Sequence, residues 1–192
     1  MSKKGDRTKQ FIKEKAKILF AEKGFKIVTM KDICEATGLS RGGLYRHYNS
    51  THVIFSEIIS EFLDDQDNLF SESIDNNVPA KEILISILDK YEAEMLDTKG
   101  SLSMAIYEYF SNDEISESEN LLLKRYALSY QSWNTLIEYG ILRGEFKQVD
   151  TNSIFDLIVF SYQGVRMYSQ LMPVSKETPG RILKQIKQLL LK

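Results

Sequence analysis

The chain has 192 residues, with 25 basic and 27 acidic side chains and a formal net charge of −2. Hydrophobic residues make up 43% and aromatic residues 11%, which excludes disorder of the whole chain and suits one or two folded domains. A single cysteine excludes an intramolecular disulfide framework. Because no signal-type stretch and no apolar run of roughly 20 residues is present, we expect a cytoplasmic protein.

Charge is distributed unevenly along the chain. Residues 1–50 carry twelve Lys and Arg against five Asp and Glu, a net charge of +7, and the remaining residues carry −9. A basic segment on an acidic body indicates that the first quarter of the chain meets a polyanion. The alternative left open by charge alone is that the lysines only solvate a surface helix.

The pattern of apolar residues predicts helices throughout. Apolar residues recur at spacings of three and four, and no stretch alternates with period two, so we expect an all-α fold of about nine helices. The predicted helices cover residues 8–23, 30–36, 41 to about 47, about 51–71, 79 to before 100, 102–110, 121–143, 151–171 and 179–191. Residues 111–120 are polar and are expected to form a loop or a frayed helix start.

Residues 29–52 have the pattern of a helix-turn-helix: two short helices joined by a tight turn. Thr29 and Ser40 are suitable N-caps for the two helices, and Gly38 suits the turn between them. The second helix would expose Arg41, Gly42, Gly43, Arg46 and His47. Its two glycines cost roughly 1 kcal/mol each relative to alanine, which packing alone does not explain, whereas they would allow a close approach to DNA.

The residue types around this helix suit DNA contacts. Arg41 and Arg46 can reach guanine edges or phosphates, and Ser40 can offer a hydroxyl or an amide to a phosphate. Tyr45 and Tyr48 can donate hydrogen bonds to phosphates while their rings pack.

Three segments resemble the DNA-binding head of the tetracycline-repressor (TetR) family of bacterial regulators. They read A-x-x-L-F-A-E-K-G-F from Ala16, T-M-K-D-I from Thr29 and A-x-G-L-S-R-G-G-L-Y-R-H-Y from Ala36, and their spacing also matches. The resemblance covers roughly residues 10–65. It implies a three-helix head over residues 1–50, a linker helix over about 51–71, and a ligand-binding and dimerisation domain over 72–192.

The same resemblance implies which residues contact DNA. They are Thr29, Ser40, Arg41, Gly43, Tyr45, His47 and Tyr48. The family often has a lysine after the position of Ser50, but Thr51 and His52 stand here, so that phosphate contact is weaker or remade by His52.

The last two helices are expected to form a dimer interface, as in the family. Small residues at Ser161 and Gly164 would allow a second helix to approach closely. The predicted interface residues are Leu157, Ser161, Gly164, Val165, Tyr168, Met172, Ile182, Ile186 and Leu189.

An effector pocket is expected among the helices of the body, as in the family. Its predicted lining is Tyr91, Glu92, Met95, Met104, Tyr107, Glu108, Phe110, Tyr130, Trp133 and Tyr162. Aromatic rings and methionines suit a flat or flexible apolar molecule. Residues 81–120 hold ten acids against three bases, which favours a neutral or cationic effector if Glu92 or Glu108 points inward.

No sequence motif indicates a catalytic, metal or cofactor site, so we expect neither enzyme activity nor a cofactor. The sequence predicts a homodimeric regulator that binds a palindromic operator and is released by a small molecule. An activator of the same fold remains an alternative. A helical small-molecule-binding protein or enzyme with a coincidental helix-turn-helix is the alternative from another class, and the basic head with two glycines argues against it.

Overall fold

The computed structural model describes residues 3–64, 70–98, 100–111 and 120–192, which fold into ten α-helices. These are α1 (Lys3–Lys23), α2 (Met30–Thr37), α3 (Arg41–Tyr45), α4 (Thr51–Asp64), α5 (Ser71–Asp75), α6 (Ala80–Met95), α7 (Ser103–Phe110), α8 (Leu121–Leu142), α9 (Thr151–Leu171) and α10 (Thr178–Leu190). The predicted all-α class is confirmed. An isolated antiparallel bridge joins Phe146 to Leu191. Over the described ranges, every helix is too short or too polar to span a membrane.

Several helix boundaries differ from the predictions, and three of the differences have a clear description. α1 begins at Lys3 rather than Thr8, because polar residues with good helix propensity extend it beyond its apolar stripe. α3 ends at Tyr45 rather than near His47. The next residue, Arg46, caps the helix, and its N–H donates to the carbonyls of Gly42 and Leu44. Of the helix predicted over about 51–71, α4 covers Thr51–Asp64, and the short α5, which was not predicted, begins at Ser71. Residues 65–69 of that prediction, and 112–119 of the predicted loop, lie outside the described residues.

The chain divides into two compact units that are not continuous in sequence. Unit 1 comprises Met1–Asp65 and Lys99–Leu122, and unit 2 comprises Gln66–Thr98 and Leu123–Lys192. Unit 1 therefore contains α1 to α4 together with α7, whereas α5, α6, α9, α10 and nearly all of α8 belong to unit 2.

The core of unit 1 holds the helix-turn-helix in place. Its buried residues include Ile12, Ala16 and Phe20 of α1, Ile33 of α2, Leu44 of α3 and Ile54, Phe55, Ile58 and Ile59 of α4. An aromatic cluster extends this core to α7, since the Tyr109 ring lies 5.1 Å from Phe55 and 5.0 Å from Phe25. Burial of these side chains supplies the main force that fixes α2 and α3 against α1 and α4.

The core of unit 2 is built from α6, α8, α9 and α10. Its buried residues include Leu84 and Leu88 of α6, Trp133, Leu136 and Ile137 of α8, Ile154, Phe155 and Ile158 of α9, and Leu183, Ile186 and Leu190 of α10. The Phe146 ring covers Gly140 so closely that a Cβ at that position would lie 2.3 Å from it. Only glycine therefore fits at this point of α8.

Candidate DNA-binding site

The start of α2 is fixed by a reciprocal cap between Thr29 and Asp32. The Asp32 N–H donates to Thr29 Oγ1 at 3.2 Å, and the Thr29 N–H donates to Asp32 Oδ2 at 2.8 Å. The hydrogen bonds from Thr29, aided by Lys23, lower the pKa of Asp32 to about 2. Thr29 is exposed at the N-terminus of α2, so its side chain is accessible at the position of a predicted DNA contact.

The turn between α2 and α3 has the local geometry predicted from the sequence. Gly38 adopts a φ of 70°, in the left-handed region that favours glycine. Ser40 caps α3, because its Oγ accepts a hydrogen bond from the Gly43 N–H at 3.1 Å. Leu44 is fully buried, so α3 is fixed to unit 1 along one face.

The opposite face of α3 is open. Arg41, Gly42 and Arg46 are exposed, Tyr45 is 51% exposed, and His47 is half-buried. Nothing lies within 4 Å of where a Cβ at Gly42 would stand, whereas a Cβ at Gly43 would lie 3.2 Å from Ser40 Oγ. Gly43 thus accommodates the cap, and Gly42 leaves space on the open face.

Some of the basic residues in the predicted DNA-binding head form ion pairs with acidic residues, and others do not. Lys9, Lys13, Lys23 and Lys31 pair with Glu57, Glu61, Asp32 and Glu35 respectively. Within the part of the chain that the structure describes, neither Arg41 nor Arg46 has an acidic partner. The two guanidinium groups are therefore available to bind an anion.

Two of the residues predicted to contact DNA lie against the interior of unit 1. Tyr48 is only 1% exposed, and its hydroxyl donates to Glu57 Oε2 at 2.7 Å. His52 is half-buried, with its ring 4.6 Å from that of Tyr109 and its Nδ1 3.4 Å from the Tyr109 hydroxyl. Sequence reasoning missed these roles because the partners come from α4 and from α7, 57 residues away from His52.

The residues predicted to line an effector pocket are divided between the two units. Met104, Tyr107, Glu108 and Phe110 lie in unit 1, whereas Tyr91, Glu92, Met95, Tyr130, Trp133 and Tyr162 lie in unit 2. Both nominated carboxylates have protein neighbours. Glu108 accepts a hydrogen bond from the Lys26 N–H at 2.9 Å, and Glu92 is exposed with its carboxylate against Gly180.

Aromatic residues in unit 2 do come together, around a carboxylate that sequence reasoning overlooked. The rings of Tyr91 and Tyr162 stack at 4.2 Å, and the Tyr91 ring lies 6.2 Å from that of Trp133. The Tyr162 hydroxyl donates to Glu94 at 2.6 Å and accepts from Arg166 at 2.7 Å. Burial, reinforced by the hydrogen bond to Glu94, raises the pKa of Tyr162, and burial also raises that of Tyr91.

Trp133 stands out within this group. Its side chain is fully buried, and among the described residues its indole N–H makes no hydrogen bond of normal geometry. Its interaction with the Tyr91 hydroxyl, which lowers the pKa of that group against the effect of burial, satisfies the N–H only in part. A buried donor without a full hydrogen bond costs up to roughly 1–3 kcal/mol. The Phe70 ring packs 5.1 Å from Trp133 and also lines a cavity of about 200 Å³ with residues of α5 and α8.

The predicted dimer residues fall into two sets. Val165 and Ile186 belong to the core of unit 2, and Ile182 and Ser161 are half-buried. The exposed set is Leu157, Tyr168, Met172 and Leu189. Two residues absent from the prediction, Phe160 and Leu171, are each 62% exposed and continue the same face of α9 at helical spacing. Nothing lies within 4 Å of a Cβ built on Gly164.

A capped two-helix motif with an open, unpaired basic face defines a helix-turn-helix protein of the DNA-binding class. Comparisons with known proteins agree. Residues 12–58 match the family model of bacterial regulatory proteins of the tetR family, and residues 83–178 match that of the tetracyclin repressor-like C-terminal domain. The chain belongs to the TetR family of transcriptional regulators, as the resemblance in the sequence implied.

Similar proteins carry regulator names. The uncharacterized HTH-type transcriptional regulator YfiR of Bacillus subtilis (strain 168) is 34% identical over 75% of this chain and 70% of its own length. The HTH-type transcriptional repressor KstR2 of Rhodococcus jostii (strain RHA1) is 28% identical over 69% of this chain and 64% of its own length. A structure of a Saccharomonospora viridis regulator in complex with choline has a TM-score of 0.80 at 17% identity, covering 97% of this chain and 99% of that one.

Proposed function

We propose that the protein is a homodimeric transcriptional repressor, not an enzyme, that binds a palindromic operator and is released by a small molecule. The observation that carries this proposal is the open face of α3, on which Arg41 and Arg46 have no acidic partner among the described residues. As a regulator of transcription, it would act on DNA in the cytoplasm. Its functional division would be a DNA-reading part over residues 1–50, a connecting α4, and a body that binds effector and partner.

The proposed DNA contacts are narrower than the sequence prediction. They are Thr29, Ser40, Arg41, Gly42, Gly43, Tyr45, Arg46 and His47, all exposed or half-buried around the turn and α3. Tyr48 and His52 are left out, because their hydrogen bonds are directed into unit 1. A guanidinium can bind the O6 and N7 atoms of guanine as a pair, so Arg41 and Arg46 are the candidates for base readout.

Dimerisation would use the exposed face of α9. Leu157, Phe160, Gly164, Tyr168 and Leu171 follow one another at spacings of three and four, which places them along one side of the helix. A large apolar face on a chain of this size is typical of an interface. The open space above Gly164 would let the partner's helix approach closely, and Met172 and Leu189 would extend the contact.

The effector would be a small apolar molecule bound by unit 2. Glu94 lies among the aromatic rings, but Arg166 approaches its carboxylate at 3.7 Å and balances its charge. We therefore favour a neutral effector over the neutral or cationic one that the sequence suggested. The buried Trp133 N–H, which makes no hydrogen bond of normal geometry among the described residues, favours a molecule that carries a hydrogen-bond acceptor. The choline complex of the Saccharomonospora viridis regulator lends support to small-molecule binding by this fold.

A direct test is binding to the DNA upstream of the protein's own coding region, measured by fluorescence anisotropy at fixed salt. We expect binding at least about a thousandfold tighter than to an unrelated duplex of equal length. Lys184→Ala removes one exposed positive charge from α10 and is the control for a loss of charge away from the proposed DNA-binding face. Equal affinity for both duplexes would contradict the proposal of an operator at that place.

A further inference from the structure

Tyr48 is the residue at which the short recognition helix returns to the core. α3 has five residues, two of them glycines, and so has little stability of its own. Its direction is set by Leu44, which is fully buried, and by Tyr48, whose N–H donates to the Leu44 carbonyl at 3.0 Å. The contacts that fix the position of Tyr48 therefore also fix the orientation of α3.

Glu57 of α4 holds Tyr48 on one side and α1 on the other. Its Oε2 accepts from the Tyr48 hydroxyl at 2.7 Å, and its Oε1 pairs with Lys9 Nζ at 3.0 Å. The Lys9 ammonium also lies 4.8 Å above the Tyr48 ring, in cation–π range. Burial opposes ionisation of Glu57, but the hydrogen bonds from Tyr48 and Lys9 hold its pKa below the usual range.

We propose that Glu57 is a positioning residue for DNA binding, which acts through Tyr48 by fixing the orientation of α3. Tyr48 then serves DNA binding without touching DNA. A rigid, preorganised recognition helix binds more tightly because less conformational freedom is lost on association.

The proposal makes a prediction that runs against simple electrostatics. Glu57 lies next to the basic segment of residues 1–50, so removing its carboxylate and freeing Lys9 should strengthen attraction to a polyanion. If Glu57 positions α3, its removal weakens binding instead. We expect Glu57→Ala to raise the operator Kd about tenfold, the typical effect of a lost charge-assisted hydrogen bond.

The chain supplies a matched control one helical turn away. Lys13 and Glu61 form the next ion pair between α1 and α4. Glu61 acts on the Tyr48 hydroxyl only through its charge, whereas Glu57 accepts the hydrogen bond from it. Glu61→Ala removes the same charge from the same helix, so its operator Kd should stay within about twofold of the parent or fall. Glu57→Gln keeps an oxygen that can accept from Tyr48 and should restore most of the affinity.

A double-mutant cycle with Tyr48→Phe completes the test. Tyr48→Phe keeps the buried ring and removes only the hydroxyl, so we expect it to stay folded and to match Glu57→Ala in Kd. The double variant should be no weaker than either single variant, because both remove one interaction. Far-UV circular dichroism checks folding, and Tyr48→Phe with Glu57→Gln remain informative if the alanine variant unfolds.

Three results would overturn the proposal. The first is a folded Glu57→Ala or Tyr48→Phe protein that binds operator as tightly as the parent. The second is an additive double variant, which would show that Tyr48 and Glu57 act separately. The third is Glu57→Gln binding as weakly as Glu57→Ala, which would show that the acceptor oxygen is not what matters.

Discussion

Glu108 of α7 accepts a hydrogen bond from the backbone N–H of Lys26, 82 residues earlier in the chain, at 2.9 Å. Its carboxylate lies over Gly24, whose φ of 82° ends α1, and a Cβ there would stand 2.6 Å from the nearer oxygen. A single carboxylate on α7 thus contacts the loop between α1 and α2 and fixes its position.

Loss of this contact should destabilise the loop. We expect Glu108→Ala to lower the free energy of unfolding by about 1 kcal/mol, the usual net value of one hydrogen bond. Urea unfolding followed by circular dichroism measures it, and amide exchange at Lys26 locates it. Glu108→Gln keeps an acceptor and is the control; equal stability of the alanine variant and the parent would count against the contact.

The Thr29–Asp32 cap should contribute stability that depends on pH. Thr29→Ala should cost about 1 kcal/mol at neutral pH, whereas Thr29→Ser should cost little. The folded pKa of Asp32, about 2, lies below the ordinary aspartate value of 3.8. The stabilisation is therefore complete above about pH 4 and is lost as pH falls towards 2. Unfolding of parent and Asp32→Asn proteins across pH 2–6 checks this, and a constant difference between them would contradict it.

Arg41 and Arg46 should account for part of the salt dependence of DNA binding. Each alanine variant should weaken operator binding, and a variant that loses a phosphate contact should reduce the log–log salt slope by about one. A guanine contact would instead relax preference at one base pair by about 1–3 kcal/mol. Titrations from low to physiological salt separate the two, with Lys184→Ala as the charge-matched control. Unchanged affinity in both arginine variants would refute the DNA-facing assignment of α3.

A bulky residue at position 164 should block dimer formation. Gly164→Trp places an indole in the open space where a partner helix would approach, so we expect monomers that lose operator binding. Gln163→Trp adds the same bulk one residue away, on another side of α9, and should remain dimeric. Sedimentation velocity at micromolar concentration distinguishes them. A monomeric parent protein would refute dimerisation through this face.

Trp133 should report effector binding by unit 2. It is the only tryptophan in the chain, so its fluorescence isolates this site. We expect quenching or a spectral shift with neutral aromatic compounds that carry a carbonyl or hydroxyl, and weaker or no response to quaternary ammonium compounds. Trp133→Phe should reduce the thermal stabilisation that such compounds give. A response to ammonium compounds alone would contradict the neutral-effector proposal.

Local signals in the sequence were sufficient to predict the helix-turn-helix. Caps and turns act over three or four residues, so Thr29, Gly38 and Ser40 could be placed by residue type and spacing. The apolar periodicity likewise predicted most of the helices. The family match supports the resemblance drawn from the segments at Ala16, Thr29 and Ala36.

Roles that depend on distant partners could not be predicted in this way. Tyr48 was predicted to contact DNA from its residue type and from the family resemblance, and neither could reveal that its hydroxyl donates to Glu57. Glu92 and Glu108 were nominated because each adjoins a tyrosine in sequence, yet neighbours in a helix point in different directions. Glu94 meets Tyr162 only through the packing of α6 on α9, and no spacing rule could reveal it.

The two adjacent glycines of α3 differ in the space that is available for a side chain. At position 43 a Cβ would lie 3.2 Å from Ser40 Oγ, so a side chain there requires the serine that caps α3 to shift by a few tenths of an ångström. At position 42 a side chain meets only open space, and alanine would even favour the helix by about 1 kcal/mol. If α3 faces DNA as proposed, substitutions at residue 42 would add a side chain at the proposed DNA-facing surface while leaving the fold that presents it intact.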